Sequence, residues 1–257
     1  MTAGEELRVF TWNLNGLESA RLDSRMEKAC IQMVLGVTLR EAMAGAPSPP
    51  LPHVFCLQEV VRRVHIDKLR HHFGAAGFTL VPAEPPERED YSLIAVRPPW
   101  TITESAYVPF EHSKLARGYT EVQIRSDSGQ EALVLTAHME SLRSGGEDRT
   151  SQTLQIDARL MAGAESLRPA IFAGDTNLRE AEFVAARAEG CLLRDVFDLA
   201  KRPAAHNATW WPEGSRRGYR FDRIWLDPIS TGALVDFRTR RRSKLSDHSA
   251  LEACFRF

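Results

Sequence analysis

Short β-type runs alternating with helical ones predict an α/β fold, and three observations carry that expectation. The chain has 257 residues, 43% apolar and 26% charged, enough to build one large core, so a single domain over 1–257 is expected. Eight runs rich in β-branched and aromatic residues are separated by segments with apolar residues at helical spacing. Polar, oxygen-bearing residues then gather where the β-type runs stop, as they do in α/β proteins that bind ligands at strand ends.

In chain order, Leu7 to Trp12 reads as the first strand and Arg21 to Ala44 as a helix. "GAPSPPLP" (45–52) is a Pro-rich loop, followed by a strand over Val54 to Leu57 and a helix over Val64 to Phe73. A second Pro-rich loop, "PAEPPERED" (82–90), precedes strands at Ser92 to Val96, Thr120 to Ile124 and Ala132 to Ala137. Arg149 to Leu167 follows as a helix, with Leu154, Ala158, Met161 and Ala164 on one face. The remaining elements are a strand at Ala170 to Ala173, a helix at Glu180 to Arg187, and strands at Phe221 to Leu226 and Leu251 to Phe255. No internal repeat interrupts this order.

Bulk charge excludes a whole-molecule attraction to polyanions: 33 basic residues face 34 acidic ones, for a net charge of -1. The cysteines, Cys30, Cys56, Cys191 and Cys254, lack CxxC spacing and read as reduced core residues, neither a zinc site nor a disulfide framework. The N-terminus "MTAGEELRVFTWN" is acidic where a secretion signal would be basic, and no apolar run reaches membrane-spanning length. An intracellular, cytoplasmic protein without a membrane partner is therefore expected.

The strand ends carry the chemistry. "FTWNLNG" ends in Asn13 and Asn15, "CLQEV" in Gln58 and Glu59, "LTAHMES" in His138, Glu140 and Ser141, and "IFAGDTN" in Asp175 and Asn177. "RFDRIW" contributes Asp222, and "LSDHSAL" brings Asp247 and His248 to the last strand. Carboxylates and side-chain amides converging in one crevice make a hard, oxygen-rich site suited to Mg²⁺ or Mn²⁺. Taken singly, each signal has a plainer reading: Asn13 and Asn15 as turn formers, Asp175 as a cap for the next helix, His138 as hydrogen-bonded filler. Their joint order favours a site.

In that order the motifs "TWNLNGL", "LQEV", "HMESLR", "FAGDTNLRE", "RFDRI" and "SDH" resemble the endonuclease/exonuclease/phosphatase superfamily, which includes deoxyribonuclease I. Within it the chain is most similar to the 5′-tyrosyl-DNA phosphodiesterase branch, and the likeness spans nearly the whole sequence. It implies a four-layer α/β sandwich of the deoxyribonuclease I type, two packed mixed β-sheets flanked by helices. Two departures stand out. Asn15 occupies a position where those relatives usually have Asp, and the chain opens on its first strand without the ubiquitin-associated domain of the animal proteins.

The resemblance implies a role for each strand-end residue. Glu59 is the main Mg²⁺ ligand, with Asn13 and Asp247 placing metal or water beside it, and Mn²⁺ can substitute. Asp175 orients the attacking water and Asn177 donates to a phosphoryl oxygen. His248 binds the scissile phosphate, and Asp222 fixes its orientation and its cationic form. His138 is a second phosphate-facing donor. Asn15 and Arg143 complete the substrate contacts, Arg143 through a guanidinium fork to phosphate.

Substrate choice is written more faintly. "RTRRRSK" (238–244), together with Arg216, Arg217 and Arg220, gathers positive charge near the motifs, with a solvated basic loop as the alternative. Trp210 and Trp211, near Tyr219 and Phe221, form either an aromatic wall for a base or a core cluster. Relatives with an aromatic residue at about the Trp210 position use it to line a groove for a single-stranded 5′ end. The expected reaction is hydrolysis of 5′-phosphotyrosyl DNA to a 5′-phosphate. The expected partner is single-stranded or 5′-overhanging DNA bearing a tyrosyl or peptide adduct, with no obligate protein partner. A general metal-dependent nuclease or another phosphate-ester hydrolase is the alternative. A silent binding module would have lost one of Glu59, Asp175 or His248, and all three are present.

Overall fold

The computed structural model describes residues 5–45, 47, 49–166, 169–203, 207–240 and 244–257. Strand β1 (Glu6–Asn13) leads into helices α1 (Leu22–Leu35) and α2 (Leu39–Met43). Strand β2 (Val54–Val61) runs on into α3 (Arg62–Val64), a π-helical turn (His65–Leu69) and α4 (Arg70–Ala75). Five strands follow: β3 (Thr79–Val81), β4 (Asp90–Val96), β5 (Trp100–Pro109), β6 (Gly118–Ser126) and β7 (Glu131–Ala137). After α5 (Gly146–Ser166) come β8 (Ala170–Asp175), α6 (Glu180–Ala188), β9 (Arg194–Asp195) and α7 (Val196–Leu199). The chain closes with β10 (Asp222–Leu226), β11 (Leu234–Arg240) and β12 (Ala250–Arg256).

The strands form two six-stranded mixed sheets, ordered β11-β12-β1-β2-β4-β3 and β5-β6-β7-β8-β10-β9. In each, one central pair is parallel, β1 with β2 and β7 with β8. Side chains alternate across β1: Leu7 and Val9 enter the layer between the sheets with Val54, Val134, Ile171 and Ile224. Phe10 and Trp12 face the opposite way, toward Met26 and Met33 of α1 and Phe73 of α4. The second sheet repeats the pattern, with Leu133, Leu135 and Phe172 packed against Ile156 and Leu160 of α5. Helix, sheet, sheet and helix thus stack as four layers over three apolar clusters, the alternation that a sheet buried on both faces requires.

Two expectations are corrected. The helix expected over Arg21 to Ala44 is two helices, because Gly36 closes α1 with its N–H on the Gln32 carbonyl. The buried face of α5 is Ile156, Leu160, Gly163 and Ala164, whereas Ala158 is exposed. Gly163 sets that face, since a Cβ there would lie 2.3 Å from Leu133 Cδ2. All four cysteines are free and buried. Among the described residues no helix is long and apolar enough to cross a membrane.

Candidate active site

The sheet register lines up the acids and histidines. Asp175 and Asp222 are direct partners at the ends of β8 and β10, and His138 bridges to Asp175 from the end of β7. From the facing sheet, β1 delivers Asn13, β2 delivers Glu59, and the turn before β12 delivers Asp247 and His248. Gly174 permits this crowding: a Cβ at that position would stand 2.4 Å from the Ala137 carbonyl oxygen. Gly16 does the same within the facing sheet, between the loop after β1 and β2, its Cβ position being 2.0 Å from the Glu59 carbonyl oxygen.

Asp175, 1% exposed, is the hub. Its Oδ2 accepts from Asn13 Nδ2 at 2.8 Å and lies 3.5 Å from His138 Nε2 and 3.7 Å from His248 Nε2. Its Oδ1 accepts from the Asn177 N–H at 3.0 Å. Burial pushes this carboxyl up, but His248, His138 and the hydrogen bonds from Asn13 and Asn177 hold it below its ordinary value. It does not cap the next helix. Helix α6 is closed by Glu182 Oε2, which accepts from the Arg179 N–H at 2.8 Å.

His248 is locked from both ends. Its Nδ1 stands 2.8 Å from Asp222 Oδ2, its N–H donates to Ser246 Oγ at 3.0 Å, and its carbonyl accepts from Trp12 Nε1 at 3.1 Å. Burial opposes its charge, yet Asp222 and Asp175 raise the ring to about 10. At neutral pH it is an imidazolium. Burial pushes the Asp222 carboxyl up, with His248 pulling the other way.

Glu59 takes a left-handed backbone, φ 50°, where the β2–β4 register shifts between Leu57 and Val60, and this bulge turns the residue into the cleft. Its Oε1 accepts from Asn13 Nδ2 at 3.0 Å. Asp247 Oδ2 accepts from Trp210 Nε1 at 2.7 Å. Trp210 stacks on Phe221 with centroids 5.3 Å apart, and Phe221 stacks on Tyr219 at the same separation. These rings wall one flank of a cleft of about 500 Å³ that also exposes Glu59, His138, Asp175, Asn177, Asp247 and His248.

The structure does not bring every expected residue into that cleft. Asn15 lines a neighbouring groove with Lys244 and Asp247. Arg143 is exposed in a short 3₁₀ turn (Arg143–Gly145) and is absent from the cleft lining, where Arg117 and Arg179 stand instead. Trp211 packs over Gly218, apart from the wall. The basic run is partly spent internally: Arg238 pairs with Asp236 at 2.6 Å and Arg240 with Glu252 at 2.6 Å. Residues 241–243 of that run lie outside the described residues. Arg220 stands against Asp195, Asp198 and Glu180, while Arg216 and Arg217 are exposed.

Sequence reasoning missed Arg149, which organises the loop after β7. Fully buried, it grips Glu182 through two nitrogens at 2.9 and 2.7 Å and donates to the carbonyls of Glu140, Ser141 and Leu142. Nothing in its helical context marks it. Arg179 carried a signal, its place in "GDTNLRE" just beyond the Asp175 strand end, and it lies 5.8 Å over the Phe221 ring.

Residues 10–248 match the model of the Endonuclease/Exonuclease/phosphatase family. Tyrosyl-DNA phosphodiesterase 2 of Gallus gallus is 25% identical over 236 residues, 88% of this chain and 58% of that protein. The 5′-tyrosyl-DNA phosphodiesterase of Caenorhabditis elegans is 27% identical, over 98% of this chain and 67% of the relative. The chain thus spans 58–67% of the length of these two relatives. Among solved structures, D. rerio TDP2 complexed with single strand DNA product superposes with a TM-score of 0.79 at 22% identity, over 98% of this chain and all of that one. That likeness shows the fold, the four-layer sandwich of the deoxyribonuclease I type expected from the sequence. With the family model matched across nearly its whole length, the chain belongs to the endonuclease/exonuclease/phosphatase family.

Proposed function

We propose that the protein is a Mg²⁺-dependent phosphodiesterase that hydrolyses 5′-phosphotyrosyl linkages to DNA, releasing tyrosine or a tyrosyl peptide and leaving a 5′-phosphate. The observation that carries this reading is a buried carboxylate, Asp175, between two histidine Nε2 atoms at 3.5 and 3.7 Å, beside a stacked aromatic wall. The names of the curated relatives and the DNA-bound structural neighbour support the substrate.

Two groups of side chains are candidates for a divalent cation. Asp175, Asp222 and His248 lie within 4.8 Å of one another, but His248 holds a proton at neutral pH and Nδ1 is already engaged by Asp222, so the ring is a poor ligand there. Glu59 and Asp247 offer carboxylate oxygens in the cleft lining and fit Mg²⁺, or Mn²⁺ in its place, while Asn13, fully buried with its Oδ1 accepting from the Asn15 N–H at 2.8 Å, would act by holding Glu59 through Nδ2. When bound, the cation supplies charge relief to the phosphoryl and departing oxygens.

The chain's own groups do the rest. Asp175, held ionised, orients a water and takes its proton as the water oxygen bonds to phosphorus and the phosphorus–phenolic oxygen bond breaks. The His248 imidazolium and His138 donate to the phosphoryl oxygens, where negative charge accumulates, and Asn177 adds an amide donor. Trp210 and Phe221 stack the 5′ nucleotide. A phenol, with pKa about 10, departs with less protonation than a sugar alkoxide requires.

The test is a panel of 5′-tyrosyl single-stranded DNA, abasic duplex, unmodified strands and phosphoinositide, each with Mg²⁺, Mn²⁺ and chelator. The tyrosyl substrate is cut fastest and chelator abolishes cutting. Faster turnover of abasic duplex or phosphoinositide would refute the substrate assignment, and indifference to chelator would refute the metal.

A further inference from the structure

Leu142 is an anomaly on the rim of the cleft. It is 69% exposed, and its backbone, φ 67° and ψ 157°, lies in a region populated almost entirely by glycine. Surrounding structure enforces that conformation: the fully buried guanidinium of Arg149 donates Nη1 to the carbonyls of Glu140 at 3.0 Å, Ser141 at 3.3 Å and Leu142 at 2.7 Å. The rest of the guanidinium is fixed on Glu182. A buried, fully engaged cation therefore holds a strained turn whose leucine side chain faces solvent at the cleft. Leu17, 43% exposed, lines the same cleft from the loop after β1.

Sheet order fixes the side on which this apolar rim sits. In the sequence β7-β8-β10, Asp175 ends the middle strand. The aromatic wall of Trp210 and Phe221 lies on the β10 flank, while His138 and the loop carrying Leu142 extend from β7 on the other. A phosphodiester centred near Asp175 has two substituents, and the cleft offers a contact surface on each flank.

We propose that Leu142, assisted by Leu17, is the apolar contact for the aromatic ring of the leaving group, so that the cleft selects aryl over alkyl phosphodiesters. The proposal rests on the reaction proposed above, with the nucleotide on the aromatic wall and the departing phenol on the β7 flank. A leucine side chain buries apolar area against a flat ring, and a short alkyl ester is too small to reach it. The backbone strain is the cost of presenting that side chain.

The test compares variant with wild-type kcat/KM on three substrates: a 5′-tyrosyl single-stranded oligonucleotide, the p-nitrophenyl ester of thymidine 5′-phosphate, and the oligonucleotide bearing a 5′-methyl phosphodiester. Taking the ratio to wild type for each cancels the intrinsic reactivity of the esters. Leu142→Gly removes the side chain while suiting the backbone, so its Tm is expected to be no lower than that of wild type. It is expected to lose about tenfold on both aryl esters and to change the methyl ester less than about twofold, with Leu142→Met close to wild type throughout. Equal losses on aryl and methyl esters, or no loss on the aryl esters, would overturn the proposal. A wild-type protein that leaves the tyrosyl oligonucleotide intact would refute the proposed reaction alone, because the nitrophenyl ester still decides the role of Leu142.

Discussion

The two histidines beside Asp175 stand at nearly equal distances from the same carboxylate oxygen, 3.7 Å for His248 and 3.5 Å for His138, yet they are built differently. His248 has a buried carboxylate on its far nitrogen at 2.8 Å, both backbone polar groups tied down, and a ring raised to about 10. His138 has a buried Nδ1 without a hydrogen bond, and the carboxylate on that side, Asp90, stands off at 3.7 Å. Arg117 holds the His138 carbonyl at 3.3 Å; burial pushes the Asp90 carboxyl up, but His138, with Arg117 and Arg88, holds it below its ordinary value. His248 is a cation fixed from its far nitrogen, whereas the far nitrogen of His138 has no hydrogen bond. The difference teaches that the two rings are told apart by what touches their far sides, since distance to Asp175 is almost shared.

Removing the shared carboxylate breaks the comparison altogether. Asp175→Asn keeps the shape while deleting the group that orients the water, so kcat is expected to fall by roughly 10²–10⁴-fold with Tm nearly unchanged. Steady-state kinetics and calorimetry on one preparation check this, and retained activity would remove Asp175 from the chemistry. Asp222→Asn attacks the fixed flank alone. The His248 ring then loses its main counter-charge, and the alkaline limb of the pH–rate profile, expected near pH 10 in wild type, moves down toward the ordinary histidine value, with about a hundredfold loss of kcat at pH 8. A limb that stays in place would mean that Asp222 does not hold the proton.

Smaller effects sharpen the contrast. Trp210→Ala removes a stacking surface worth about 1–3 kcal/mol, raising KM for tyrosyl DNA more than for a small aryl diester. Equal loss on both would make Trp210 a packing residue. Asp90→Asn on the His138 flank is expected to cost less than about fivefold at any pH, because at 3.7 Å the carboxylate is beyond hydrogen-bond reach of Nδ1. A loss matching that of Asp222→Asn would make the two flanks equivalent.

What the sequence made legible follows the same physical divide. Strands buried on both faces, such as β8 with every residue buried, announce themselves as apolar runs, and the residues at their ends could be read with them. Strand β5 (Trp100–Pro109) was invisible because its middle is exposed on both faces, leaving neither a run nor an alternation. Strand β11 is similar, and β3 and β9 are three and two residues long. In the site, groups placed where an apolar run stops were legible, whereas Arg117 and Asp90, which stand where strands begin, and Arg149 were not. Arg149 serves the loop from a helix face, and a buried cation among polar helical residues resembles a solvated one until its partners at Glu140, Leu142 and Glu182 are known.

Stability carries the same signature. Because the His248 ring binds its proton more tightly folded than unfolded, its pairing with Asp222 and Asp175 stabilises the fold fully below about pH 6.5 and is lost as pH rises through about 10. Asp175, held below its ordinary value, contributes in the opposite sense: its share is present above the ordinary aspartate pKa and is lost as pH falls through the depressed one.

The fixed cation beside Asp175 is the centre of this account, and an NMR titration of the ring nitrogens in metal-free protein, from pH 6 to 11, observes it directly. The His248 ring is expected to remain doubly protonated through neutral pH and to release its proton near 10. Release near 6.5, with Asp222 intact, would contradict it.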